Sequence, residues 1–288
     1  MTIVQLPTSK RGWQALIREL GIRPSKGRGQ NFLHDSGVVN RIVKVAGISN
    51  ADTVVEIGPG FGILTRRLAE VARRVVAIEI DHQLARHLEQ TFASIPNVEV
   101  VRADALAVQL VEVTGVAPVS VVANLPYSAA AAIVRHVLES EVVLNSATLM
   151  LQREGGLRML AEPPNMSILS VATQLYAAGS IAFEIPPDVF EPRPTVDSVV
   201  VRLKPHAVPL LSRDLRLEFF ALVNAGFRHR RKNVANSLAD ETGLSKATIN
   251  EALDAAAVDP MRRAQTLSVA EWLTLRTVWA RRIGPIGQ

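Results

Sequence analysis

The chain has 288 residues, 48% of them hydrophobic, enough for one large or two modest packed domains. It contains no cysteine, which excludes a disulfide framework, a thiolate nucleophile and cysteine-ligated zinc, and its formal net charge of +5 favours a polyanionic partner. Residues 1–11 lack the apolar core of a signal peptide, and no apolar run approaches the roughly 20 residues of a spanning helix. The expectation is a cytoplasmic protein without membrane association.

Short apolar runs alternate with amphipathic stretches along the first two thirds. Thr53–Ile57 reads as a β-branched strand ending at Gly58, and residues 63–72 as a helix with Leu64, Leu68 and Val71 on one face. A strand at 75–80 and a helix at 83–92 follow, then a strand at Val98–Arg102. Residues 119–123 and 147–151 read as strands, each followed by a helix, at 129–139 and 152–160. One more element is expected at 168–177, and 196–203 alternates as a closing strand. This order predicts an α/β, doubly wound, mostly parallel sheet, whose ligands sit beyond the carboxyl ends of the strands. After a linker at 204–212, stretches at 214–225, 231–238, Lys246–Ala255 and 269–280 have helical periodicity without strand runs. The chain therefore divides into a catalytic domain over residues 1–205 and a small all-α domain over 206–288.

The first strand runs into Glu56-Ile57-Gly58-Pro59-Gly60-Phe61-Gly62. Glycines there allow a tight turn and a close approach of backbone to ligand. Glu79 ends the second strand, placed to accept the two hydroxyls of a ribose. Asp104 follows the third strand; it suits the amino group of an adenine, or equally a helix N-cap. Strand, glycines, helix, strand and acid together indicate a nucleoside cofactor. The spacing departs from the dinucleotide fingerprint G-x-G-x-x-G.

Asn124-Leu125-Pro126-Tyr127 closes the fourth strand. The bland reading is a strand followed by a proline turn. The chemical one is a grip on a flipped-out adenine: a side-chain amide oxygen and a backbone carbonyl accept the two hydrogens of the amine, and the aromatic ring stacks on the base. With the glycine loop, this turn indicates S-adenosylmethionine beside a base-reading pocket. The six histidines have no metal-ligand spacing, and no metal is expected.

These blocks resemble the ribosomal RNA adenine dimethyltransferase family. The resemblance is carried by Gly29-Gln30-Asn31-Phe32-Leu33, by the loop around Gly58, by Ala77-Ile78-Glu79-Ile80-Asp81 and by the Asn124 turn. It continues in Pro186-Pro187-x-x-Phe190-x-Pro192-x-Pro194-x-Val196-Asp197-Ser198 and in Phe227-x-x-Arg230-Arg231-Lys232-Asn233. It implies a Rossmann-like S-adenosylmethionine-dependent methyltransferase with a helical C-terminal domain that binds rRNA. The implied reaction is N6,N6-dimethylation of two adjacent adenosines near the 3′ end of small-subunit rRNA, carried out by a monomer on the assembling small ribosomal subunit. Carried over by position, Asn31 and Leu33 contact the methionine end of the cofactor, and Gly58 and Gly60 line its loop. Glu79 holds the ribose and Asp104 the adenine. Asn124 meets both the cofactor and the target amine. Tyr127 and Phe190 stack on the target base. Arg228, Arg230, Arg231 and Lys232 grip RNA phosphates, although a solvated helix face is the plainer reading of that run.

The chain departs from the family pattern at Ser128, at Ala129–Ala132, at Gly155-Gly156 and at Asn165-Met166-Ser167. These changes bear on the rim of the substrate pocket, not on the cofactor loop. Three other readings remain open: a large-subunit rRNA adenine methylase, a DNA adenine methylase, and a non-catalytic ribosome-assembly factor.

Overall fold

A computed structural model describes residues 6–7, 9–22, 30–126 and 129–286. The elements, in chain order, are α1 (Lys10–Glu19), β1 (Phe32–Leu33), α2 (Ser36–Ala46), β2 (Thr53–Ile57), α3 (Ile63–Ala69), β3 (Arg74–Glu79), α4 (His82–Phe92), β4 (Val98–Arg102), α5 (Leu110–Thr114), β5 (Val119–Asn124), α6 (Ala130–Glu139), β6 (Leu144–Gln152), α7 (Arg153–Met159), α8 (Ile168–Tyr176), β7 (Ala177–Ile185), β8 (Phe190–Glu191), β9 (Ser198–Pro205), α9 (Arg216–Phe227), α10 (Val234–Thr242), α11 (Lys246–Ala255) and α12 (Val269–Arg282).

Seven strands form one sheet in the order β4-β3-β2-β5-β6-β9-β7. β4, β3, β2, β5 and β6 pair in parallel, and β9 runs antiparallel to β6. Residues of β2 are buried along its whole length, as expected of a central strand covered on both faces. The order reverses between β2 and β5, so the crevice beyond their carboxyl ends is the place where such a sheet takes a ligand. The glycine loop leaves β2 and the Asn124 turn leaves β5 at that crevice. A second, two-stranded ribbon pairs β1 with β8, Phe32 opposite Glu191 and Leu33 opposite Phe190.

The chain divides into two units, Met1–Gly156 with Ala178–Pro205, and Leu157–Ala177 with His206–Gln288. The expected catalytic domain thus loses residues 157–177 to the helical unit. Met166, Val171, Ala172 and Leu175 share a core with Phe219, Phe220, Trp272 and Trp279, where their burial places α8 among the C-terminal helices. The sequence marks an element there without showing that it is a helix or which core it joins. Periodicity also passed over α1, α2 and β7. β7 follows α8 without a break, and six of its nine residues, 178–182 and 184, are exposed, so it lacks the apolar signature of a central strand.

The Gly155-Gly156 departure has a steric cause at one position. A Cβ on Gly156 would lie 2.4 Å from Val199 Cγ2 of β9, whereas one on Gly155 would lie 3.3 Å from the movable end of Leu151. Gly156→Ala should therefore destabilise by about 1–3 kcal/mol through overpacking. Gly155→Ala should be neutral or stabilising by up to ~1 kcal/mol, the helix-propensity gain. Denaturant titration of the two variants checks this; equal effects would contradict it.

Candidate active site

A cavity of about 260 Å³ opens at the β2–β5 crevice, and Asn31, Leu33, Gly58, Gly60, Glu79 and Asn124 all line it. Six of the expected site residues, from four segments, are thus brought together. Gln30, Glu56, Pro59, Phe61, Ile80, Pro126 and Met150 complete much of its wall.

Backbone hydrogen bonds fix the glycine loop. Gly58 N–H donates to the Ile78 carbonyl at 3.0 Å. Gly60 N–H donates to Glu79 Oε2 at 3.1 Å, and Asp81 N–H donates to Glu79 Oε1 at 2.9 Å. Gly58 and Gly60 have φ of +71° and +59°, a left-handed backbone that side chains disfavour. The loop is also tight: a Cβ on Gly58 would stand 3.2 Å from the Asn124 carbonyl, and one on Gly60 would stand 3.0 Å from Phe32 Cδ1. The glycine pattern is therefore required on two counts, conformation and space.

Glu79 is only 4% exposed. Burial pushes its carboxyl above the usual range, and the Asp81 and Gly60 N–H groups pull it back. A carboxylate has about four acceptor positions. The Gly60 and Asp81 amides use one on each oxygen and the Ile80 N–H also bonds the carboxylate, so acceptor capacity remains for a ribose hydroxyl.

Glu56 is 1% exposed, and its Oε2 has no hydrogen-bond partner. Burial pushes its carboxyl up to about 8; the nearby Thr65 hydroxyl opposes this weakly, and the charge of Glu79 adds to it. An unsatisfied buried carboxylate in a ligand-sized cavity is suited to a cationic or hydrogen-bond-donating ligand. Ile80 is 56% exposed on the cavity wall, an apolar surface suited to a flat ring. Two acids, glycine-cradled backbone and an apolar wall match the ammonium, sulfonium, ribose and adenine of S-adenosylmethionine. Sequence reasoning did not assign Glu56 and Ile80 to the site. A charged residue inside the otherwise uncharged run Thr53-Val-Val-Glu-Ile57, and an apolar one just after the ribose acid, were the available signals.

Asn124 is half-buried at the cavity mouth. Its Nδ2 donates to the Asn31 carbonyl at 3.2 Å, which turns the amide so that Oδ1 remains as an acceptor. Tyr127 and Ser128 lie outside the described residues. Two expected residues are not brought to the cavity. Phe190 is 1% exposed and packs in a core with Leu33, Val189 and Val200, so no ring face is open to a base. Its pairing opposite Leu33 on the ribbon accounts for the burial. Asp104 is exposed, does not line the cavity, and its Oδ1 accepts from Leu106 N–H at 2.9 Å in a local turn, so it is not the helix N-cap either; α5 begins only at Leu110.

In the helical unit the basic run is not a helix face. α9 ends at Phe227 and α10 begins at Val234, N-capped by Asn233, whose Oδ1 accepts from Asn236 N–H at 2.8 Å. Arg228, Arg230, Arg231 and Lys232 are all exposed in the connecting turn. Lys232 Nζ lies 2.5 Å from Asp240 Oδ2 and Arg228 Nε 3.8 Å from Glu241 Oε1. Exposed pairs of this kind contribute little to stability and can exchange for phosphates.

Sheet order and cavity define a Rossmann-like, S-adenosylmethionine-dependent methyltransferase. Residues 24–275 match the family model described as ribosomal RNA adenine dimethylase. The chain belongs to that family. It is 42% identical over 272 residues to the ribosomal RNA small subunit methyltransferase A of Moorella thermoacetica, covering 91% of this chain and 94% of that protein. The protein of the same name from Enterococcus faecalis is 39% identical over 270 residues, covering 90% and 92%. Among solved structures, the 23S rRNA methyltransferase ErmE is 31% identical with a TM-score of 0.68, covering 86% of this chain and 99% of that one. A dimethyladenosine transferase from Plasmodium falciparum shares the fold at 24% identity and a TM-score of 0.72, covering 87% and 98%.

The Glu56 carboxyl yields a pH signature in the ligand-free protein. Its folded pKa of about 8 stands above the unfolded value of 4.5, so the folded state binds more protons between those limits. Stability from this group is full below the lower limit and is lost as pH rises through the upper one, by at most about 1.4 kcal/mol per pH unit. Glu79, also raised, adds in the same direction. Glu56→Gln should flatten the fall of Tm between pH 5 and 8, as checked by calorimetric scans; an unchanged slope would contradict it.

Proposed function

We propose that this chain transfers methyl groups from S-adenosylmethionine to the N6 amines of two adjacent adenosines near the 3′ end of small-subunit rRNA, during assembly of the small subunit. The carrying observation is the Asn124 amide at the cavity mouth, anchored through Nδ2 and open at Oδ1. The curated relatives at 36–42% identity bear the small-subunit name, which favours this substrate over a large-subunit one. Among the described residues no helix is long and apolar enough to cross a membrane, which agrees with a cytoplasmic site of action. We read the protein as a monomer.

When bound, the cofactor supplies an electrophilic methyl group on its sulfonium. Glu79 would hold the ribose hydroxyls with the acceptor capacity that the backbone amides leave. Glu56 faces the cationic end, and Gly58 and Gly60 let the backbone approach. Asn31 and Leu33 close the cavity from the β1 side. At the target, Asn124 Oδ1 accepts one amine hydrogen and a backbone carbonyl of the turn accepts the other, which localises the nitrogen lone pair toward the methyl. Tyr127 stacks on the base, contributing ~1–3 kcal/mol toward the cost of flipping it out. The methylated nitrogen is strongly acidic and loses its proton to water, so no dedicated base is needed. Catalysis is then positioning with polar organisation. The Arg228–Lys232 turn of the helical unit holds RNA phosphates.

Two variants separate chemistry from binding, with tritiated-methyl incorporation into undermethylated small subunits as the assay and co-sedimentation as the control. Asn124→Ala should bind particles normally and lose about 10²-fold or more in transfer. Replacing Arg230, Arg231 and Lys232 together by alanine should weaken particle binding and flatten its salt slope by up to about 3 units. Full activity in Asn124→Ala would overturn the catalytic reading. Wild-type binding without any transfer would favour a non-catalytic assembly factor.

A further inference from the structure

The helix α1 precedes the residues that the family model matches, which begin at 24. It is capped by Ser9, whose hydroxyl accepts from Gly12 N–H at 3.2 Å. Its apolar side does not face a generic core. Trp13 is 1% exposed and clusters with Ile22, Phe32, Phe61 and Leu84. Phe32 and Phe61 also line the cofactor cavity.

The rings form a continuous chain of tilted and edge-to-face contacts from helix to cavity. The Trp13 and Phe61 centroids lie 5.6 Å apart, and those of Phe61 and Phe32 lie 4.5 Å apart, edge to face. Phe61 sits between the two glycines that close the loop. Gly60 is tied to Glu79 and crowds Phe32. Gly62 is crowded from the other side, where a Cβ would stand 2.6 Å from Phe92 of α4. Phe61 is therefore the loop residue on which α1 packs, through Trp13, while α4 meets the same loop through His87 and Phe92. α1 also packs against β8, whose partner strand β1 follows Asn31. Trp13 Nε1 has no hydrogen-bond partner, so packing alone holds this ring.

We propose that α1 clamps the cofactor loop, with Trp13 a positioning residue that sets how tightly the cavity holds S-adenosylmethionine and its demethylated product. This rests on the reading of the cavity as the cofactor site. Removing the ring leaves a void behind Phe61. The loop then relaxes away from the ligand, while Asn124 and the basic turn of the helical unit keep their places.

The test uses the full-length protein with Trp13→Ala and Trp13→Phe, and S-adenosylhomocysteine as the calorimetric probe. Trp13→Ala should weaken binding about tenfold or more, and Trp13→Phe should restore it to within about threefold, since ring packing and not the indole N–H is used. KM for S-adenosylmethionine should rise in parallel, with kcat at saturation within about twofold, because the loss is in uniform binding. A second readout does not need the alanine variant to fold. The chain has three tryptophans, so 5-fluorotryptophan labelling gives three fluorine signals, and Trp13→Phe identifies the one from Trp13. That signal should move on adding S-adenosylhomocysteine while those of Trp272 and Trp279 stay. A Trp13→Ala protein that melts earlier yet binds the probe as wild type does, or a Trp13 signal indifferent to the probe, would overturn the clamp. Failure of wild type itself to bind the probe would instead overturn the cofactor reading.

Discussion

The Glu79 carboxylate stands at the carboxyl end of β3, out of water, and each of its oxygens accepts one backbone N–H, from Gly60 and from Asp81. Burying a carboxylate is costly unless its oxygens are satisfied. That cost is what makes the arrangement specific, because the loop can occupy only the positions that supply those amides. The loop leaves β2, the acid ends β3, and the parallel register pairs Glu56 with Ala77 and Ile57 with Ile78. The turn after β2 and the acid after β3 are thereby held at one level. The cavity, the left-handed glycines and the crowding of Phe32 follow from that tie.

The catalytic side of the cavity depends on the same sheet. β5 pairs with β2 on the other flank, with Ala123 beside Ile57, so Asn124 emerges next to the glycine loop. Its amide is then oriented by the carbonyl of Asn31, the residue just before β1. One side chain thus joins three segments far apart in sequence. In the proposed mechanism the reaction therefore needs no strong acid or base among the cavity residues. The work is orientation of an amine whose lone pair must be localised, and rigid strand ends suit that task better than mobile side chains.

Much of this was legible in the sequence. β-branched runs with glycine and proline punctuation marked β2, β3, β4 and β5 to within a residue or so at either end, and the residues at their carboxyl ends gave most of the cavity. What was not legible depended on partners distant in sequence. Phe190 has the aromatic character of a stacking residue, but ribbon pairing with Leu33 buries it. Asp104 has the right type, but it is not among the residues that line the cavity, and its Oδ1 accepts from Leu106 N–H. The segment 157–177 reads as part of the α/β series and packs with helices 50 to 100 residues later. The basic run has helical neighbours on both sides and still forms a turn, because Asn233 starts α10 after it. Gly156 looks like a helix breaker and is a contact surface for β9.

The central claim is that the Glu79-tied loop forms the cofactor site. Titration calorimetry of S-adenosylhomocysteine into wild type and Glu79→Ala, with melting curves recorded on both, tests it most directly. Loss of a charged acceptor for the ribose hydroxyls is worth ~1.5–3 kcal/mol, so the variant should bind about ten to a hundred times more weakly. Unchanged affinity in a Glu79→Ala protein that has lost only thermal stability would contradict the account and leave Glu79 as a structural brace.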